Sequence, residues 1–62
     1  MSTLLGVRID TGDVVELDLN GQTVTALVLL ATDEAAIFDP CDGSTPFVLK
    51  PEQLDSVRVF SP

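Results

Sequence analysis

The apolar positions of this chain come in short bursts divided by turn residues. "TGD" (11–13), "NG" (20–21), "TDE" (32–34), "DPCDGSTP" (39–46) and "KPEQLD" (50–55) separate runs rich in valine, leucine and isoleucine. Short β-branched and aliphatic runs with turn residues at frequent intervals predict an all-β domain; no run sustains the 3.6-residue period of a helix. A first strand is expected over 3–10, with Leu5, Val7 and Ile9 inward and Gly6, Arg8 and Asp10 outward. A second is expected over 14–19, with Val15, Leu17 and Leu19 on one face and Val14, Glu16 and Asp18 on the other. Asn20-Gly21 then predicts a tight hairpin, because both residues tolerate positive φ.

The third strand, over 22–32, has a different pattern. Val24 and Ala26 alternate with Thr23 and Thr25, and Val28 and Leu30 continue the core side. The stretch "ALVLLA" (26–31) is nevertheless apolar in both phases, leaving Leu27 and Leu29 on the side where the earlier strands carry charge. Such a strand needs cover on both faces. Two alternatives are open: a second subunit supplies the cover, or a strongly bent strand serves two parts of one barrel. Further strands are expected over 34–39, 47–50 and 56–60, the last with Val57 and Val59 inward and Arg58 and Phe60 outward. "PEQLD" (51–55) reads as a single helical or 3-10 turn, with Pro51 at the first position and Leu54 anchoring it to the core.

The order of these elements, carried by "GDVVELDL" (12–19), the long third strand and "FVLKPEQLDSVRVF" (47–60), resembles the SH3-like barrels. That resemblance implies a small barrel of five to six short antiparallel strands with one 3-10 turn before the last. It also implies pairing between the two terminal strands, which would place Arg8 and Arg58 on one outer face near Asp10. A narrower resemblance links "GDVVELDL" and "ALVLL" to the opening of the PemK-type toxin ribonucleases. There the second segment follows Arg-Pro; here Val24-Thr25 stands in that place, and the matching region is acidic. No functional residue carries over.

Length turns the question toward association. Sixty-two residues make one domain, 1–62, and a chain this short buries only about 60% of its unfolded surface. The usual staples for small domains are missing: one cysteine forms no internal disulfide, and without histidine a structural zinc site would have a poor ligand set. With 45% hydrophobic residues, packing or self-association must supply the stability.

Charge narrows the partner class. The net charge is −7, and eight acids lie between Asp10 and Asp42 without one lysine or arginine among them. Such a surface repels phosphate backbones, so direct nucleic-acid binding is not expected. The longest apolar stretch is far shorter than the roughly 20 residues of a membrane span. The start "MSTLLGVRID" has no basic n-region, and with the free cysteine this leads to the expectation of a cytoplasmic protein.

Individual residues offer little catalytic chemistry. Cys41 has no adjacent histidine or cation and is flanked by Asp39 and Asp42, so the setting of a nucleophilic thiolate is missing. Asp39 and Asp42, with Ser44 and Thr45, are weak candidates for a cation site, but their spacing is also ordinary turn chemistry. Glu16 and Asp18 share an exposed strand face, without the burial that acid–base work requires, and read as a solvated acidic surface. No cofactor is expected. Leu4, Val14, Leu27, Leu29 and Phe60 all fall on the non-core phase of their strands and are the candidate interface. The expected role is a non-enzymatic binding or structural module acting through protein–protein contacts, as a homo-oligomer or a subunit of a larger assembly, such as a phage or bacterial one. The alternative is an acidic decoy or inhibitor of a basic nucleic-acid-binding protein, presenting Glu16 and Asp18.

Overall fold

A computed structural model describes residues 2–60. It is all-β, with antiparallel strands β1 (Ser2–Leu4), β2 (Val7–Ile9), β3 (Val14–Leu19), β4 (Gln22–Ala31), β5 (Ala36–Asp39), β6 (Phe47–Leu49) and β7 (Ser56–Phe60). One 3-10 turn, Pro51–Gln53, precedes the last strand. Strands β3 to β6 form a meander, and β7 returns to pair with β3, giving the sheet order β6-β5-β4-β3-β7. Strands β1 and β2 form a separate two-stranded sheet.

The segment expected as one strand over 3–10 is therefore a hairpin. Leu4 pairs with Val7, and Leu5 and Gly6 form the two-residue connection, with φ of 53° and 75°. Two successive positive φ values are the signature of a type I′ turn. Folding the segment back exchanges the roles of its residues. Leu4, expected on the outer face, is 1% exposed in the core, whereas Leu5, expected in the core, is exposed at the turn. The strand count rises to seven for the same reason.

The closing strand also has a different partner from the one expected. β7 pairs with β3 along Val14–Asp18 and not with the first strand. Arg8, on β2, and Arg58, on β7, accordingly belong to different sheets. The five-stranded sheet is not a closed barrel: β6 forms one edge.

Strand β4 is the longest, at ten residues, and its two halves have different neighbours. Gln22–Leu27 pairs with β3, and Leu27–Ala31 pairs with β5. Backbone bonds from Gly12 N to Val28 O and from Val28 N to Asp13 O, both 2.8 Å, carry the β3 contact one step further. Between Val28 and Leu30 the register shifts: Val28 opposes Phe38 and Leu30 opposes Ile37, so Leu29 is an extra residue. A bulge of this kind bends the strand and resets its phase. Leu30 turns outward and is exposed, contrary to the uniform alternation expected, and Ala31 turns back toward the core.

The core gathers Leu4, Ile9, Val15, Leu17, Ala26, Val28, Ala36, Phe38, Leu54 and Val57. Phe38 is the largest fully buried side chain; its ring lies 5.8 Å from that of Phe47 in a tilted arrangement. Leu54 plugs the core beneath the 3-10 turn, whose entry is fixed by Lys50 N donating to Gln53 Oε1 at 2.8 Å. Asp55 N donates to Asp18 O at 2.9 Å and starts β7 in register with β3.

Candidate interaction face

One face of the five-stranded sheet covers the core, and the other is left to solvent. Cross-strand register decides which side chains meet on that outer face. Val14 opposes Phe60 on one side and Leu27 on the other, which aligns three apolar residues in one row across β7, β3 and β4. Asp39 ends the row opposite Leu27. Ile37 opposes Leu30 and Val48, which makes a second apolar row across β4, β5 and β6. The two rows are neighbours along β4 and β5, and Leu29 sits between them at the bulge. The result is an apolar band running obliquely over all five strands.

The band is open to water to a degree that isolated surface leucines do not explain. Val14 is 40% exposed, Leu29 38%, Leu30 52%, Val48 57% and Phe60 49%. Leu27 and Ile37 are half-buried between their neighbours. Of the five residues expected at an interface, Val14, Leu27 and Phe60 share one row, Leu29 lies beside it and Leu4 is in the core. Leu30, Ile37 and Val48 were not singled out from sequence. Ile37 was legible, since it alternates with the buried Ala36 and Phe38; Leu30 was hidden by the bulge.

Below the first row, the outer face becomes charged. Arg58 opposes Glu16 directly, and Asp18 opposes Ser56 on one side and Thr23 on the other. Arg58 Nε donates to Glu16 Oε1 at 2.9 Å, and Nη2 makes a short contact with the same oxygen. Its Nη1 donates to Asp18 Oδ2 at 3.0 Å. The Ser56 hydroxyl and Thr23 Oγ1 also donate to Asp18. Hydrogen bonds from Arg58 first, then from Ser56 and Thr23, hold the Asp18 carboxyl well below the usual carboxylate range. The same pairing, Asp18 first, raises Arg58 further. The two acids expected to face a partner are thus engaged by an arginine of their own sheet.

The loop over 40–46 is organised by two aspartates acting on the backbone. Asp39 Oδ1 accepts from Cys41 N at 3.0 Å, and Asp42 Oδ1 accepts from Ser44 N at 2.9 Å. Bonds from the Ser44 side chain and then its backbone N–H lower the Asp42 carboxyl below its ordinary value. Cys41 adopts φ of 63° and turns its Sγ toward Asp39 O at 3.3 Å. Each carboxylate has an intraloop role here, and no group of three or more metal-ligating side chains gathers among the described residues. Among the described residues, no helix is long and apolar enough to cross a membrane.

No protein-family model, curated protein or solved structure matches the chain.

Proposed function

We infer that this chain is a non-enzymatic module that works through protein–protein contacts made by the outer face of its five-stranded sheet, as a subunit of an oligomer or of a larger assembly. The observation that carries the reading is the cross-strand alignment of Phe60–Val14–Leu27 beside Leu30–Ile37–Val48. A row of this kind arises from register, and contiguous exposed apolar surface marks contact sites.

The sheet edges offer less. β6 has three residues and is bracketed by Pro46 and by Lys50-Pro51, so a strand added there would find few backbone groups. Short edges with proline and lysine discourage strand addition. The other edge strand, β7, carries Arg58 and has β2 packed near it. The face, not an edge, is the surface left for a partner.

The SH3-like assignment is the finer structural reading that goes with this function. It is supported by the meander of β3 to β6, the 3-10 turn, and a last strand that pairs with the first strand of the meander, with the β1–β2 hairpin as an addition. A cytoplasmic location fits the exposed free cysteine.

Migration in an extract of the source organism tests the functional reading. The 6.6 kDa chain is expected in a larger species, and a Leu30→Asp, Val48→Asp double variant is expected to shift to the free chain while melting as the wild type does. A wild-type chain that runs alone, or a variant that co-migrates with it, would refute the reading.

A further inference from the structure

The apolar band has a shape and a charge setting that select among occupants. The molecule is nearly isometric, with extents of 26 × 23 × 20 Å, and the band lies on the outward side of a bent sheet. A second copy would bring two such outward surfaces together. A stable symmetric interface takes about 800 Å² from each partner. That is about a fifth of the 3911 Å² surface here, whereas the band is one oblique strip of apolar side chains, none more than 57% exposed. A segment that lies along the band uses that strip without needing a flat contact.

Charge points the same way. The band is bounded by carboxylates: Asp39 ends its first row, Glu16 and Asp18 lie below Val14, and Asp33 and Glu34 occupy the turn beyond Leu30. Arg58 bridges both Glu16 and Asp18, which leaves that cluster one net negative charge, and Lys50 lies beyond Val48 at the end of β6. Asp33, Glu34 and Asp39 have no cationic partner within hydrogen-bonding reach among the described residues. A second copy, itself of net charge −7, would set the same carboxylate rim against this one, whereas a cationic partner would be drawn to it.

We propose that the outer-face band docks a cationic segment of a different protein, with apolar side chains at the segment's centre on Leu30, Ile37, Val48 and Leu27, and lysines or arginines at its margins facing Asp39 and the Asp33-Glu34 turn. This rests on the reading of the outer face as the binding surface and names the chemistry of its partner. Rim charges of this kind speed encounter and make affinity fall with salt, while the apolar centre holds the complex.

The experiment uses the full chain, isotope-labelled, and a short peptide of alternating leucine and lysine as the probe, with the same peptide carrying glutamate in place of lysine as the control. Titration of the lysine peptide is expected to shift the amides of Val14, Leu27, Leu30, Ile37 and Val48, with affinity falling as salt rises. Combining Leu30→Ser with Val48→Ser is expected to weaken binding by about tenfold or more. Equal binding of the glutamate peptide overturns the proposal, and so does binding that shifts only residues off the band. Sedimentation of the chain alone separates the two readings. Self-association through the band would overturn the cationic occupant and leave the binding face standing. A free chain that neither self-associates nor binds the lysine peptide would overturn both.

Discussion

Deleting Leu29 is expected to be tolerated, although deletions inside strands usually unfold small domains. The reason is register. Val28 opposes Phe38, Leu30 opposes Ile37 and Ala31 opposes Ala36, so removal of Leu29 leaves a continuous ladder with every remaining side chain on its present face. The loss is limited to the covered part of Leu29, which is 38% exposed. Full burial of a leucine contributes about 1.5–3 kcal/mol, so the covered part corresponds to about 1–2 kcal/mol. A domain of this length has about 3–9 kcal/mol in total, and the variant should stay folded. Deleting Leu27 also removes one residue from the ladder, so the bulge absorbs it, but Val28 then takes the outer place of Leu27 and Leu29 takes the core place of Val28 opposite Phe38. A leucine forced into the place of a fully buried valine overpacks the core by about 1–3 kcal/mol, so this variant should be the less stable of the two. Urea denaturation followed by circular dichroism, with an amide spectrum for each variant, reads both outcomes. A chain that unfolds on loss of Leu29, or that loses more stability without Leu29 than without Leu27, would refute the bulge as the source of the phase change.

Other predictions follow from the same contacts. Phe38→Ala, at the centre of the core and against Phe47, should cost about 3–5 kcal/mol and leave little native chain at 37 °C by calorimetry. Leu5→Asn should stabilise the chain by about 0.5–1 kcal/mol in urea titration, because asparagine accepts the φ of 53° more readily than leucine does. Cys41→Gly, at φ of 63°, should hold or raise stability without reducing partner binding; reduced binding would give the thiol a role. The Asp18 carboxyl is depressed in the folded state, so its stabilising contribution is full above its unfolded value of about 3.9 and is lost as pH falls through the lower folded value. Urea midpoints measured from neutral to strongly acidic pH should therefore show a steeper acid limb for the wild type than for Arg58→Gln.

The strands that alternate cleanly were legible in the sequence, and the places that broke alternation were not. "VVELDL" and "SVRVF" place Val14–Leu19 and Ser56–Phe60 because Glu16 and Asp18 in one, and Ser56 and Arg58 in the other, mark the outer phase. Asn20-Gly21 announces its turn, with φ of 49° and 81°. Leu5-Gly6 makes an equivalent turn without the asparagine, so the first hairpin reads as one strand and Leu4 and Leu5 exchange faces. In "ALVLLA" no polar residue reports the phase, and an extra residue in the ladder leaves no trace in hydrophobicity. The bent-strand alternative describes how β4 pairs with β3 and β5 in turn, yet bending does not bury the band, because Leu29 and Leu30 remain open to water. The candidate site was half legible on the same grounds: each row needs register, and register across strands is not written along any one of them.

The most direct test of the outer face as the binding surface is site-specific photo-crosslinking in the organism that makes the chain. A photoreactive residue is placed at Val48 in one variant, at Leu30 in a second, and at Glu52 on the 3-10 turn in a third as the control. The account predicts a discrete crosslinked protein from Val48 and from Leu30 and none from Glu52. Adducts from Glu52 alone, or equal and diffuse adducts from all three positions, would contradict it.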